Sequence, residues 1–203
     1  IGIGHQALSA LTSGDGNVAV GYQAAAAITT GDRNVALGFE ALKSMTLGDD
    51  NICIGYQAGG GVTTGGGFDQ NIFIGSYSGD TITSQDCVGN VGIGHATLTA
   101  MNNAAADDNI AIGRGTGGGI TEGYNNTLIG KTAGPSITTG NSNVVIGALA
   151  DVQNAASVKR IVIGSLASSA SEDTTLYIGD NTNFLQYAYT GSGGVTISSD
   201  VRI

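Results

Sequence analysis

Acidic side chains recur at one place along this chain, where they could form a metal site. Aspartate stands two positions before a recurring asparagine, at Asp15, Asp32, Asp49, Asp69 and Asp107. Carboxylates stacked in this way could hold Ca²⁺ together with backbone oxygens. The alternative is that these aspartates stabilise turns through hydrogen bonds to the backbone. We favour turn chemistry and expect no cofactor, since the chain lacks the glycine-rich nonapeptide of calcium-binding β-rolls.

Aromatic and basic side chains share a second place, directly after a recurring glycine. Tyr22, Phe39 and Tyr56 there could stack on sugar rings or cover a subunit interface, and we favour the interface. Arg114 and Lys131 could receive an acidic sugar, although a solvated face or a salt bridge between chains is favoured. Two histidines, His5 and His95, take the same place in other copies.

The spacing of reactive side chains does not indicate catalysis. His5 and His95 lack a partnered serine or cysteine nucleophile pattern, and spacing identifies no pair of glycosidase carboxylates. Cys53 and Cys87 make neither a disulfide framework nor a metal site, and Cys53 is interpreted as a small packed residue. We therefore expect a binding or structural protein rather than an enzyme.

Composition excludes several classes of partner. The net charge is −9 with seven Lys and Arg, which argues against nucleic acid and anionic membrane surfaces. No apolar run approaches the length of a membrane span, and no signal peptide is visible. The chain opens inside a repeat, at residues 1–4, so we interpret it as a fragment of a longer protein.

The elements that carry these side chains form a short repeat of asparagine, aliphatic, variable, aliphatic and glycine. Clear copies begin at Asn17, Asn34, Asn51, Asn71, Asn90, Asn109, Asn126 and Asn143, and degenerate copies at Arg160 and Thr175. The spacings between the closing glycines are 17, 17, 17, 20, 19, 19, 17, 17, 17 and 15 residues. A period this short predicts an all-β fold, a parallel β-solenoid of about eleven coils over residues 1–179. Residues 180–203 are predicted to close the solenoid and to join chains.

Within one coil the sequence predicts two short strands. The aliphatic residues, such as Val18 and Val20, are predicted to face the solenoid core, and the residue between them, such as Ala19, the opposite face. Because that middle residue is mostly small or apolar, we expect this outer face to pack on another chain. A second strand is predicted to carry Ile28, Met45 and their equivalents inward. The asparagines are predicted to form an internal amide ladder, with sugar binding as the disfavoured alternative.

The phrases Gly21-Tyr-Gln-Ala24 and Ile28-Thr-Thr-Gly31-Asp-Arg-Asn-Val-Ala-Leu-Gly38 resemble repeats of bacteriophage tail fibres. They are also similar to the heads of trimeric autotransporter adhesins, in which three chains pack around one axis. The resemblance covers residues 1–179 and implies a homotrimer. The longer coils between Gly55 and Gly113 depart from the adhesin pattern.

The end of the chain resembles the start of a second family. Ser199-Asp-Val-Arg-Ile203 is similar to the opening of the endosialidase-type intramolecular chaperone, a self-cleaving trimerisation domain of phage fibres. The resemblance implies a cut between Ser198 and Ser199. The chaperone itself lies beyond this chain, so the only chemistry implied belongs to assembly.

These observations predict a receptor-binding or structural segment of a homotrimeric phage or phage-like tail fibre. It would be extracellular, on the virion or particle, with two identical chains and a host-surface glycan or protein as partners. Three alternatives stay open: a bacterial trimeric adhesin head, an ice-binding solenoid and a solenoid polysaccharide depolymerase. Ice binding rests on a threonine rank that includes Thr12, Thr29 and Thr46, although its neighbouring rank is irregular.

Overall fold

The computed structural model is all-β, a parallel β-solenoid of about ten turns. It describes residues 1–62, 67–83, 86–103, 105–167, 175–180, 182, 184–189 and 195–199. Its strands form one sheet in chain order. They are β1 (Gly2–Ile3), β2 (Val18–Val20), β3 (Val35–Leu37), β4 (Ile52–Ile54), β5 (Ile72–Ile74), β6 (Val91–Ile93), β7 (Ile110–Ile112), β8 (Thr127–Ile129), β9 (Val144–Ile146), β10 (Ile161–Ile163), β11 (Thr175–Gly179), β12 (Phe184–Tyr189) and β13 (Val195–Ser199).

The repeat sets the register of the whole stack. β1 to β11 pair in parallel, and equivalent residues lie opposite each other, as Ala36 does with Cys53. The coils of 19 and 20 residues keep this register, since Ile54 pairs with Ile74 and Ile74 with Ile93. β12 and β13 then add to β11 as antiparallel strands. The extra residues of the long coils are therefore accommodated outside the strands.

The structure corrects the predicted orientation of each strand. The middle residue is the buried one: Ala19, Ala36, Cys53, Phe73 and their non-glycine equivalents through Tyr177 are at most 3% exposed, and Gly92 is also buried. The two flanking aliphatic residues point outward and are half-buried or exposed. The prediction that these aliphatic residues face the core was wrong. The outer face is thus built from valine, isoleucine and leucine rather than from the small middle residues.

A second strand per coil was also predicted and is not formed in the coils described. Ile28, Met45 and their equivalents do point inward, and they are buried, but they lie outside any strand, directly after a run of turn residues. The residue two places after each corner glycine, such as Gln23 or Glu40, has φ between 51° and 67°. A residue in this left-handed conformation bends the chain, so the segment cannot extend into a strand. Each coil therefore has one strand and a long, tightly turned return.

The corner glycines hold the coils at close distance. Each has a positive φ, between 129° and 143° from Gly4 to Gly179. A Cβ atom on Gly21 would lie 2.2 Å from the carbonyl oxygen of Gly38, its equivalent in the next coil. No side chain therefore fits at this corner. The residue three places later, Ala24 in this coil, is small and fully buried.

The asparagine rank forms the predicted internal ladder. The eight asparagines are at most 5% exposed, and seven amide-to-amide hydrogen bonds of 2.9–3.2 Å join them. Arg160 follows in the same slot, and its buried guanidinium donates to the carbonyl of Val152 at 2.5 Å. The ladder ties neighbouring coils together from inside.

Candidate functional surfaces

The outward-facing aliphatic residues make one continuous apolar face. It consists of two ranks, one from the first and one from the third position of each strand. Ile93, Ile110, Ile112 and Ile129 in its centre are 36–37% exposed. Ten coils at roughly 4.8 Å each make the face about 48 Å long, and about 10 Å wide, so that its projected area is on the order of 500 Å². A patch of this size is near the upper end of what monomers expose, and patches of this kind often serve as interaction sites.

The apolar face ends at the corner glycines, where a groove begins. At the C-terminal end of the solenoid this groove has a volume of about 690 Å³. Its lining includes Ile163 and Ile178 of the apolar face, together with Ser165 and Leu166 from beyond the corner. The slot directly after each corner glycine, which holds the aromatic and basic side chains, therefore borders the apolar face.

The aromatic side chains in that slot stack as a ladder, as the spacing predicted. The rings of His5, Tyr22, Phe39 and Tyr56 follow one another at 5.2, 5.0 and 5.3 Å, with interplanar angles of 12° or less. Tyr22, Phe39 and Tyr56 are each 42% exposed. The ladder presents flat ring faces in contact with one another and ring edges to the outside.

The sequence did not reveal that the ladder continues beyond Tyr56. Ser76 takes the next slot, but Tyr77 places its ring 5.2 Å from Tyr56 at an angle of 68°. His95 then lies 5.7 Å from Tyr77, again edge to face. Because Tyr77 stands one place later in its coil than the other rings, fixed spacing did not predict it. The ladder thus has six rings and bends at Tyr77.

Arg114 and Lys131 follow the ladder in the same slot of the next two coils. Both side chains are exposed, and β7 and β8 hold their coils in register. Among the described residues no salt bridge involves either of them. The two cations therefore extend the aromatic ladder with a short basic segment that faces water.

The aspartate rank participates in coil stacking. Asp32 Oδ1 accepts a hydrogen bond from the backbone N–H of Asp15 at 2.7 Å, and Asp49 and Asp69 repeat this contact with the coil before them. Burial raises the pKa of Asp107, which accepts from the backbone of Val88. These hydrogen bonds join neighbouring coils and do not close a turn within one coil, which is the role that the sequence favoured for these aspartates. Within the described ranges, no group of three or more His, Cys, Asp or Glu side chains is placed to hold a metal ion.

The threonine rank also makes hydrogen bonds between neighbouring coils. The hydroxyl of Thr12 donates to the carbonyl of Thr29 at 2.8 Å, and Thr29 and Thr121 make the same contact with their next coils. In the neighbouring rank Leu47 is 38% exposed. A hydroxyl committed to a backbone carbonyl presents less hydrogen-bonding capacity to an ice surface.

Two further expectations concern the chain as a whole. The cleavage-junction candidates Ser198 and Ser199 end β13, where they pair with Gln186 and Leu185 of β12, while residues 200–203 lie outside the described residues. In the part of the chain that the structure describes, no helix is long and apolar enough to cross a membrane.

Comparison with protein-family models, with curated proteins and with solved structures finds no match.

Proposed function

We propose that this chain is a segment of a trimeric phage or phage-like tail fibre that helps attach the particle to a host surface. The single observation that carries the proposal is the apolar face, whose two aliphatic ranks run the length of a solenoid. Burying such a face against identical chains would supply the hydrophobic free energy of assembly. The number three comes from the resemblance of the repeats to trimeric fibres.

The proposed interface lies on a different surface from the one that the sequence predicted. The small middle residues fill the core, and the valine and isoleucine ranks take their place as the contact surface between chains. β-Branched side chains suit this role because they lose little rotamer freedom when they pack. Parallel chains would place each coil beside its own equivalents.

Attachment would be multivalent. Three chains present three copies of the aromatic ladder, and several fibres on one particle raise weak contacts to firm attachment. A bacterial trimeric adhesin head would use the same surfaces. The two kinds of protein differ in their anchoring, since an adhesin requires a membrane anchor and a phage fibre does not.

The test is the native mass of the protein by light scattering on a sizing column. We expect a mass near three times 20.1 kDa. The double variant I112K/I129K places charges at the centre of the face and should reduce the mass to one chain while the circular dichroism of the fold persists. Leu47→Lys, at an exposed apolar residue on another surface, is the matched control and should leave the mass unchanged. A monomeric wild-type protein would refute the proposal.

A further inference from the structure

One coil carries a depression that its neighbours do not. In the coil of β4, Gly60 and Gly61 occupy two slots that bear side chains in the coils before and after it. The two glycines line a depression of about 330 Å³. Its other lining residues are Glu40, Lys43, Ser44, Gln57, Asp80 and Thr81. A cavity of this volume accommodates one six-membered sugar ring.

Hydrogen-bonding groups of both kinds converge on this depression. Lys43 Nζ lies 2.8 Å from Glu40 Oε1, and Gln57 Nε2 donates to Glu40 Oε2 at 2.8 Å. Asp80 is half-buried on the opposite wall, and burial raises the pKa of its carboxyl. Ammonium, amide and carboxylate groups thus surround a space the size of one polyhydroxylated ring.

The bend of the aromatic ladder is adjacent along the chain to this depression, since Tyr56 directly precedes Gln57, which lines it. Tyr77 takes the slot directly above Gln57, and its ring stands at 68° to the ring of Tyr56. Two rings at this angle form an open corner, unlike the parallel rings of Tyr22 and Phe39. An aromatic corner next to convergent polar groups combines an apolar surface with hydrogen-bonding partners.

We propose that this depression, together with the ring of Tyr77 in the slot above its lining residue Gln57, binds one neutral pyranose unit of a surface glycan. A pyranose has an apolar C–H face that packs on an aromatic ring and a rim of hydroxyls that both donate and accept. Glu40 and Asp80 disfavour an anionic sugar by charge repulsion. The inference deepens the proposed function and rests on it, because attachment to a host surface is what supplies the glycan.

The experiment measures saccharide binding by the full chain in its native assembly. Maltotriose, cellotriose and triacetylchitotriose are the neutral probes, and 3′-sialyllactose is the anionic one, each titrated by saturation-transfer NMR. We expect at least one neutral probe to bind and the anionic probe to bind more weakly. Tyr77→Asn, chosen because asparagine tolerates the φ of 59° at this position, should weaken binding about fivefold. Asp80→Asn should weaken it to a similar extent by removing a charged acceptor.

The control is Tyr124→Ser, at a tyrosine that is 41% exposed on another part of the solenoid. This variant should bind as the wild type does. Failure of all neutral probes to bind, or binding that survives both Tyr77→Asn and Asp80→Asn, would overturn the site.

Light scattering on the same samples separates this inference from the proposed function. A mass of three chains without saccharide binding refutes the site and leaves the fibre proposal standing. A monomer that binds a neutral probe refutes the trimer and supports the site. If Tyr77→Asn lowers the mass instead, Tyr77 belongs to an interface between chains and the site is refuted.

Discussion

The side-chain amide of Asn51 donates to Oδ1 of Asn34 at 3.0 Å, and the backbone N–H of Asn51 donates to the same oxygen at 3.0 Å. Asn51 Nδ2 also donates to the carbonyl of Phe68 at 2.7 Å. One fully buried side chain therefore satisfies backbone groups that water does not reach. The repeated asparagine is explained by this connection between coils and requires no ligand.

Replacing Asn51 with alanine should destabilise the solenoid strongly. The carbonyl of Phe68 and the backbone N–H of Asn71 would each lose a buried partner. Because unsatisfied buried groups are costly, we expect the free energy of unfolding to fall by about 3 kcal/mol. Urea denaturation followed by circular dichroism measures this change. Asn102→Ala, at an exposed asparagine, is the control, and an equal loss for both variants would contradict the ladder's role.

The corner glycines should not tolerate a side chain. Gly38 has a φ of 139°, and a Cβ atom there would lie 2.3 Å from the carbonyl oxygen of Gly55. We expect Gly38→Ala to lower the free energy of unfolding by about 3 kcal/mol or more, through clash and backbone strain. Gly118→Ala is the matched control, since its nearest contacts would be at 3.6 Å. Thermal unfolding of both variants tests this, and similar melting temperatures would contradict the close approach at the corner.

The inverted strand can be tested at two adjacent valines. Val145 is fully buried, whereas Val144 is half-buried in a rank that already contains Thr127. Val145→Thr places a hydroxyl in the core and should cost about 2 kcal/mol. Val144→Thr should cost under about 1 kcal/mol. Chemical denaturation of the two variants measures the difference, and the opposite order would mean that Val144 faces the core.

The two cysteines should resist modification in the folded protein. Cys53 and Cys87 are fully buried, and burial raises the pKa of the Cys53 thiol. Because the thiolate is the reactive form, a thiol reagent at pH 8 should label both cysteines only after unfolding in urea. Rapid labelling of the native protein would contradict this burial.

The same pKa shift predicts a pH dependence of stability. The unfolded thiol of Cys53 loses its proton above its ordinary pKa of 9.0, while the folded thiol keeps it. The unfolded state is therefore favoured as the pH rises, and the contribution of Cys53 to stability is complete only below pH 9.0. The measurement is the free energy of unfolding as a function of pH for the wild type and for Cys53→Ala, and the difference in slope gives the contribution of the thiol. Parallel slopes above that pH would show that the thiol does not contribute.

Much of the solenoid could be predicted from the repeat. Equivalent residues in copies of one motif must stack when coils stack, so the parallel register, the asparagine ladder and the ring ladder from His5 to Tyr56 followed from spacing. Tyr77 was missed because it stands one residue later in its coil than the other rings, and only the folded chain brings its ring beside Tyr56. The depression at Gly60 was missed for a similar reason, since its walls come from three coils.

The orientation of each strand was decided by the tertiary structure. Alternation shows that Val18 and Val20 share a face, but it does not state which face is inside when both are apolar. The asparagine rank fixes which face is inside. Asn17 lies inside, and Ala19, two residues later on the same side of the strand, therefore lies inside as well. A coil with one short strand and a return bent by left-handed residues is narrow. The asparagine ladder and the inward residues of the return occupy most of its interior. Each strand therefore contributes only its middle residue to the interior, and the larger valine and isoleucine ranks face outward.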